Sequence, residues 1–503
     1  MDKNTTINTI TFNELEQKIY ILVCNLGCSI LKTILENEDK RMMQERDKKV
    51  YRHKGIRKNC IKTLMGDLEY SRTIYLKQDE KQKKHVFLMD NILNIDTIGK
   101  ISYNMAEKMI KTTVNAVSYR KAAKEIENLT NEVISHEALK NLIWEIGKTL
   151  ENKEKELVVL MKKEKLEKGT REVLAIFEEA DGLWINLQGK DRKEQIEKYK
   201  KQCEKKGKEY IPLNRVKTEI KLHVTHEGWK KGDKRHEVVN KTYIAGMIQP
   251  KLLKKIRDAK VYNKYNEDNI ELRVMNGDGA KWIDNLKTKE TILQKDHFHI
   301  KQEIIRDIKE KEHQEVLIKL FEDKKYKEIP QYIEYLKYEL GGEEKTIKKL
   351  KTLKSYLESG LPRYQDILKE QGKELPSPPK DIEYRDMGIM ESQIFTVLAV
   401  KLTSGRKSWC KKGANYMSKV CALYTETKGN IELEKVNTPI AVDNSVEEWI
   451  KAIEENVNKN KKSHRANRIL TEEENYAQAR LIEKTPVMKQ LISIVEPTGL
   501  IYR

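Results

Sequence analysis

The segment LAIFEEADGLWINLQ, residues 174–188, carries the strongest structural signal in the chain, because an apolar run leads directly into an Asp-Gly pair. A short apolar run that ends at a glycine predicts a buried strand followed by a turn. We expect two strands, residues 173–181 and 183–187, joined as a hairpin at Gly182. Asp181 is then the last residue of the first strand.

Further strands are predicted after this segment. Residues 216–224, VKTEIKLHV, alternate between apolar and polar side chains, which is the pattern of a half-buried strand. A later strand runs into NGDG at 276–279, where the glycines allow a sharp turn into a helix. Asp278 therefore follows a strand directly, and another short strand is expected at 291–293.

A third acidic residue, Glu391, lies in MGIMESQIFTVLAVKL at 387–402, which reads as a helix with Glu391 on its first turn. A charged helical block, residues 301–380, separates it from the second acid. A mixed sheet with an acid on its first strand, an acid after a later strand and an acid on a following helix describes a ribonuclease-H-like core. We therefore predict an α/β, multidomain chain with a helical insertion in that core.

Asp181, Asp278 and Glu391 have the chemistry that a divalent-metal phosphoryl-transfer site needs. Two metal ions held about 4 Å apart by carboxylates activate an attacking oxygen and stabilise a leaving one. Oxygen ligands select Mg²⁺ or Mn²⁺, and we expect two ions. The alternative is that these residues are ordinary surface charges, because the chain has 79 acidic residues and an Asp-Gly pair usually marks a turn.

The first part of the chain reads as mainly helical. Residues 12–45 have the apolar spacing of an amphipathic helix. A small β-hairpin is predicted at 56–90, and Arg72 on it is a candidate for contact with DNA phosphates. A solvated charged face explains the same residues equally well.

Two helical patterns in residues 118–148 suit a helix-turn-helix whose second helix reads the major groove through Ser135, His136 and Lys140. Ser135 is placed to cap that helix. Plain packing of a helical hairpin is the open alternative, since it gives the same pattern.

Other candidates have supporting roles. His297 and His299, in DHFHI at 296–300, follow a predicted strand and are candidates for contact with the scissile phosphate or a water molecule. The alternative for both is packing or structural hydrogen bonding.

A second group lies in SGRKSWCKKGANYMSKV at 404–420. Arg406, Lys407 and Trp409 combine cations with an aromatic face, which is how proteins hold exposed nucleotides. Trp409 as a core residue is the alternative. Trp184, three residues after Asp181, is expected to pack the sheet.

Composition favours a polyanionic partner. Lys and Arg number 98 against 79 Asp and Glu, which gives a net charge of +19. The six cysteines have no CxxC or Cys/His zinc spacing and are expected to be free thiols. We find neither a signal peptide nor a run of about 18 apolar residues, so we expect a cytoplasmic, nucleoid-associated protein without a membrane partner.

These patterns divide the chain into predicted regions: 1–55, an N-terminal helix; 56–90, the hairpin subdomain; 91–165, helical; 172–300 with 381–430, the catalytic core; 301–380, the helical insertion; and 431–503, a polar C-terminal region.

Several blocks together resemble the ISLre-type bacterial insertion-sequence transposases. They are IFEEADGLWINLQ, VKTEIKLHVTHEGW, YIAGM, NGDGAKWI, DHFHI, GIMES and SGRKSWCKKGANYMSKV, with RDKKVYRHKGIRK, TLMGD and SYRKAA before them. They occur in the family's order and cover roughly residues 45–425.

The resemblance implies a DDE-type transposase with an all-helical insertion between its second Asp and its Glu. The three acids map to Asp181, Asp278 and Glu391. Glu178 and Glu179 are nearby alternatives to the first acid, but Asp181 alone precedes the glycine. The implied partners are double-stranded DNA, as terminal inverted repeats and target, and further copies of the chain in a homodimer or higher oligomer.

Two other functions stay open at the level of sequence. One is a ribonuclease-H-like nuclease or resolvase that cuts DNA without joining it. The other is a domesticated DNA-binding protein whose catalytic core is inactive.

Overall fold

The fold is described from a computed structural model, which describes residues 11–78, 83–93, 100–130, 132–340, 344–358 and 360–431. The described residues belong to two compact units. The first comprises 11–32 and the described residues from 48 to 431, and the second comprises 33–47. Apart from residue 431, the predicted C-terminal region 431–503 lies outside the described residues.

The strands, numbered in chain order, are β1 Tyr51–Thr63, β2 Gly66–Gln78, β3 Lys83–Val86, β4 Ala175–Leu187, β5 Lys217–His226, β6 Trp229–Lys231, β7 His236–Val238, β8 Thr242–Gly246, β9 Leu272–Gly277, β10 Thr291–Lys295 and β11 Ser408–Trp409.

The α-helices before and within the sheet region are Phe12–Glu45, Leu88–Leu93, Tyr103–Asn115, Tyr119–Leu129, His136–Lys162, Gly189–Lys205, Pro250–Lys264 and Lys281–Asp284. Those that follow are His297–Asp307, Lys311–Glu322, Ile329–Glu339, Glu344–Glu358, Tyr364–Glu370, Met390–Gln393, Val400–Leu402 and Lys411–Glu426. A 3-10 turn lies at Glu267–Asn269, and a π-helix, Ile394–Ala399, joins the helices on either side of it.

The central sheet has the order β10-β9-β4-β5-β8, and β11 pairs with the end of β4. β5 is antiparallel to β4 and β8, whereas β9 is parallel to β4 and β10 is parallel to β9. The predicted α/β fold with a mixed sheet is therefore confirmed. The alternating segment 216–224 forms β5, and the strand before NGDG forms β9.

The hairpin predicted at Gly182 was wrong, because β4 is one continuous strand through that residue. Gly182 pairs with Lys221 of β5 inside the ladder. A Cβ atom on Gly182 would lie 2.1 Å from Oε1 of Glu219. No turn requires the glycine, and a Cβ atom here would displace the flexible side chain of Glu219.

Both faces of the sheet are covered. Ile185, Ile220 and Leu222 on one face share a core with the helices His136–Lys162 and Lys411–Glu426. On the other face, Ala180 and Ile244 pack with the helix Pro250–Lys264. Packing from two sides thus holds the middle of β4, which carries Asp181.

The predicted hairpin region is a three-stranded antiparallel sheet in the order β1-β2-β3. The two helices Tyr119–Leu129 and His136–Lys162 lie where the helix-turn-helix was expected. The second is much longer than predicted, and its residues Leu139 and Ile143 are buried in the core of the central sheet. Packing accounts for this helix, and DNA reading by it stays a prediction.

The helix predicted at 12–45 is present as Phe12–Glu45. The expectation that no run is long enough to cross a membrane was wrong, since an 18-residue window of this helix has a mean hydropathy of 1.6 and is only 11% buried. Isolated polar residues such as Asn25 and Ser29 interrupt the run without lowering its average enough. Length and composition thus allow a membrane span, and the cytoplasmic location stays a prediction.

The described residues of 301–370 are mostly helical, whereas no helix covers 371–380; the helices form a core of their own around Leu317, Ile333 and Leu353. The helix Glu344–Glu358 reaches back to the central sheet, because the hydroxyl of Tyr356 donates to the carbonyl of Asp278 at 3.0 Å.

Candidate metal centre

Asp181 and Asp278 lie together with His299 in one cluster. One ligand atom from each of the three lies within 4.8 Å of the others. The clustering follows from the sheet, because β9 runs parallel to β4 and ends at Gly277, beside the strand that carries Asp181. Two of the three predicted acids are therefore neighbours in space.

The turn after β9 fixes Asp278. Gly279 has φ +87°, a conformation that side-chain-bearing residues rarely adopt. Oδ1 of Asp278 accepts a hydrogen bond from the amide of Ala280 at 2.8 Å. The sharp strand-to-helix turn predicted from the glycines is present, and it holds the carboxylate of Asp278 at the end of β9.

His299 is held by Asp296, three residues earlier, at the start of the helix His297–Asp307. Oδ2 of Asp296 accepts from the amide of His299 at 3.2 Å and lies 2.9 Å from its Nδ1. The hydrogen bond to Asp296 raises the pKa of His299. Burial alone would raise the pKa of Asp296, but hydrogen bonds from His299 and Asn276 lower it. When Nδ1–H of a neutral His299 donates to Asp296, the lone pair of Nε2 is left available to a metal ion.

Asp181 carries excess negative charge in its surroundings. Its pKa is raised to about 6, first by burial and then by the charges of Asp278 and Asp296, while a hydrogen bond from Gly182 and the charge of His299 act to lower it. A carboxylate that is difficult to ionise beside other carboxylates is a group that a cation would stabilise. Asp181, Asp278 and His299 are thus able to hold a divalent cation through two oxygens and one nitrogen.

A network of hydrogen bonds between buried polar side chains lies next to this cluster. The amide nitrogen of Asn276 donates to Glu179 at 2.9 Å and to Asp296 at 3.0 Å. Gln294 in turn donates to Asn276 at 3.1 Å. The sequence reading missed Asn276 and Asp296 as site residues, although an Asp three residues before His299 has the spacing of a helix N-cap.

Glu391 lies outside the cluster of three. It is exposed, on the first turn of the helix Met390–Gln393 as predicted. The preceding backbone is tied to β4, because the amides of Gly388 and Ile389 donate to Oε1 of Glu179 at 3.2 and 3.3 Å. Glu179 is thus an anchor for the segment that carries Glu391, and the catalytic role of Glu391 stays a prediction.

Glu178 lies on the face of β4 opposite to Asp181, and it stabilises the fold. It is fully buried, with its carboxylate 2.8 Å from Nε of Arg273 and 3.4 Å from Nη1 of Arg257. Burial alone would raise its pKa, but the two guanidinium charges and a hydrogen bond to His223 hold it well below its ordinary value. Glu178 is therefore ionised and neutralised within the protein.

The predicted DNA-binding residues of the first part of the chain are engaged in local contacts. Arg72 forms an ion pair with Asp90 and lies 3.8 Å from the ring centroid of Phe87. The hydroxyl of Ser135 caps its helix by accepting from the amide of Ala138 at 3.0 Å, as predicted.

Two further candidates lie on that capped helix. His136 is exposed. Lys140 forms an ion pair with Glu137 and lies 4.9 Å from the ring of Trp144. DNA contacts by Arg72, Ser135, His136 and Lys140 stay predictions. His297 is exposed at the start of its helix and is outside the cluster of three.

The candidate residues around Trp409 differ in whether their side chains bond within the protein or are exposed. The indole of Trp409 donates to the carbonyl of Leu402 at 2.8 Å, and Nζ of Lys407 donates to the carbonyl of Lys401 at 2.8 Å. Arg406, in contrast, is exposed. Trp184, which was expected to pack the sheet, is 58% exposed. Trp184 is therefore the more exposed of the two tryptophans, and DNA contacts by Arg406, Lys407 and Trp409 stay predictions.

These features define the class of protein as an α/β protein with a mixed sheet and a carboxylate pair suited to a divalent cation. The chain belongs to the uncharacterised protein family UPF0236, whose model matches residues 5–215 and 206–438.

Relatives in Caldanaerobacter subterraneus subsp. tengcongensis are themselves called UPF0236 proteins. One, whose name joins eleven locus labels, is 23% identical over 426 residues, covering 82% of this chain and 78% of that protein. Another is 22% identical over 423 residues, covering 82% of this chain and 73% of that protein.

A solved structure of the Drosophila P element transposase strand transfer complex also matches weakly. It is 11% identical and covers 70% of this chain and 86% of that chain, with a TM-score of 0.21. A TM-score this low carries no argument about fold or function.

Proposed function

We propose that this chain is a DDE-type DNA transposase, similar to the ISLre-type enzymes, that binds the ends of an insertion sequence and catalyses DNA cleavage and strand transfer. The observation that carries the proposal is the meeting of Asp181 and Asp278, from adjacent parallel strands, with His299. The two acids are far apart in the sequence but meet in space. A shared metal site explains this better than the alternative that they are unrelated surface charges.

The strand arrangement supports a ribonuclease-H-like core. The first three strands of this sheet in chain order, β4, β5 and β8, pair antiparallel, with the separate β6-β7 pair between β5 and β8; the next two, β9 and β10, continue the sheet in parallel on the other side of β4. The first acid lies on the first of these strands, and the second acid follows the fourth.

The donor atoms fit Mg²⁺ or Mn²⁺. Asp181 and Asp278 would hold the ion through carboxylate oxygens, and the nitrogen of His299 suits Mn²⁺ better than Mg²⁺. Divalent ions bound here, two in the DDE reading, would supply Lewis-acid activation of the attacking oxygen and stabilisation of the leaving oxygen. Asn276 and Asp296 would keep His299 in one orientation during these steps.

Glu391 would complete the site in the presence of metal and DNA. Its side chain is exposed, so its rotamer is free to change without repacking the core. The hydrogen bonds of Gly388 and Ile389 to Glu179 keep the start of its helix beside the strand that carries Asp181.

Two features beyond the site support a mobile element. The names of two relatives join eleven and four locus labels in one strain, which is the distribution that a self-copying element produces. The net charge of +19 suits DNA as partner. We propose that at least two copies of the chain assemble on DNA, because two element ends must be joined in one event.

The test is a cleavage assay on a plasmid that carries this gene with its native flanking DNA. We expect nicks at both flanks and joined products only when Mg²⁺ or Mn²⁺ is added, and neither product from Asp278→Asn. Asp233→Asn, which removes an exposed acid in a loop, is the matched control.

Each contrary result has its own meaning. Undiminished cleavage by Asp278→Asn would refute the assignment of the site. Nicked products without joined ones would favour a nuclease or resolvase. Specific DNA binding by a folded wild-type protein that never cuts would favour the inactive DNA-binding protein.

A further inference from the structure

A solvent-open cavity of about 740 Å³ lies at the carboxyl end of β4. Its lining includes Trp184 and four cationic side chains, Arg192, Arg215, Lys217 and Arg406. All four cations are exposed, and none forms an ion pair within the described part of the chain. The cavity therefore collects positive charge around one accessible indole.

The walls of this cavity supply further groups that suit an anion. The helix Gly189–Lys205 begins here, and no side chain caps it. Uncapped helix amides attract negative charge. Oδ1 of Asn186, on the same wall, is buried without a hydrogen-bond partner. These groups add to the attraction that the four cations exert on an anion. By themselves they would not make the cavity an anion-binding site.

The edge of β4 connects the cavity with the two acids. β9 pairs with β4 only over 175–179, and β11 pairs with it only at 186–187. Residues 180–185 thus have a partner strand on the β5 side alone. Asp181 and Trp184 both lie on this open stretch, about 10 Å apart along the strand, with their side chains on opposite faces of the sheet, so a nucleic-acid strand that contacts both would cross this open edge.

We propose that this cavity binds a single DNA strand that leaves the metal centre, with a base stacked on Trp184 and phosphates held by Arg192, Arg215, Lys217 and Arg406. An exposed indole surrounded by cations is the combination that binds unpaired bases without sequence preference. A duplex would present its bases only at its ends, so the aromatic face favours a single strand. The inference rests on the proposed function, since it assigns a path for the DNA at the same site.

The experiment measures binding of a fluorescein-labelled oligothymidine to the full-length protein by anisotropy, with EDTA present so that no cleavage takes place. Trp184→Ala is expected to bind about 5-fold to 150-fold more weakly than wild type, whereas Trp184→Phe keeps most of the affinity. Thermal unfolding of the variant checks the fold, which removal of an exposed side chain leaves intact.

A charge-matched pair separates the cavity from the general basic surface. Arg192→Ala is expected to weaken binding and to reduce the slope of log affinity against log salt by about 0.7. Arg235→Ala removes the same charge from an exposed loop that does not line the cavity, and it is expected to bind like wild type.

Wild-type affinity in a folded Trp184→Ala protein, or equal losses in Arg192→Ala and Arg235→Ala, would overturn the inference. Tighter binding to oligouridine than to oligothymidine would also overturn it, because the strand would then be RNA. These results are independent of the proposed function, whose own failure appears as Asp278→Asn cleaving like wild type.

Discussion

Glu178 and Asp181 lie three residues apart on β4, and their surroundings are opposite. Glu178 is enclosed by Arg273 and Arg257, which neutralise it and keep its pKa well below the ordinary value. Asp181 lies among other acids, and its pKa is raised to about 6, first by burial. The folded state thus stabilises the ionised carboxylate of Glu178 and destabilises the ionised carboxylate of Asp181 on the same strand. Glu178 therefore belongs to a structural ion cluster, whereas Asp181 lies at a site that a bound cation would stabilise.

The largest effect on stability is expected from Glu178→Gln. The substitution leaves the buried charges of Arg257 and Arg273 without their carboxylate, and breaking a buried ion pair costs about 3–5 kcal/mol. We expect that loss in the free energy of unfolding, measured in urea by tryptophan fluorescence. Glu237→Gln, on an exposed position of β7, serves as control and is expected to unfold like wild type.

Asp181→Asn is expected to change stability in the opposite direction. The folded protein holds the proton of Asp181 more tightly than the unfolded chain, so stability is lost as pH rises from about 4 to about 6. Above that range the ionised carboxyl costs at most about 3 kcal/mol, and less because it is partly exposed. In EDTA, Asp181→Asn should therefore unfold at a higher urea concentration than wild type at pH 7.5 and at the same concentration near pH 4.

Addition of a metal ion gives a second test of the difference between wild type and Asp181→Asn. Added Mn²⁺ should stabilise the wild type and leave Asp181→Asn nearly unchanged. An Asn variant that is less stable than wild type at pH 7.5 in EDTA would show that Asp181 is a structural carboxylate like Glu178.

The smallest effect is expected from Asp296→Asn, which weakens the hold on His299 while keeping a side chain of similar shape. Removing such an outer partner typically costs 10-fold to 100-fold in metal affinity. We expect a shift of about 10-fold in the Mn²⁺ concentration that gives half of the thermal stabilisation. Asp307→Asn, at the far end of the same helix, is the control, and an equal shift in both variants would remove Asp296 from the site.

The sequence predicted those parts of the fold that depend on local pattern. The alternation in 216–224 gave β5, and the glycines of NGDG gave the turn after β9 that places Asp278. Gly182 misled the prediction of β4, because a glycine inside a strand has the same appearance in sequence as a glycine in a turn.

The site was predictable only in part. Asp181, Asp278 and His299 stood out beside apolar runs, whereas the roles of Glu179 and Asn276 depend on contacts across strands far apart in the chain. The exposure of Trp184, which was expected to pack the sheet, was missed for the same reason. The exposure of Trp184 depends on where β9 and β11 stop pairing with β4, and no local pattern encodes that length.

The raised pKa of Asp181 also bears on how such a gene decays. Because the ionised carboxyl disfavours folding, a copy in which Asn replaces Asp181 is expected to fold and to keep the cavity around Trp184. If the proposed function holds, that product occupies the same DNA ends as the intact enzyme and cannot cut them. Accumulated dead copies would then act as repressors of the living ones, and the element would limit its own spread without a separate regulator.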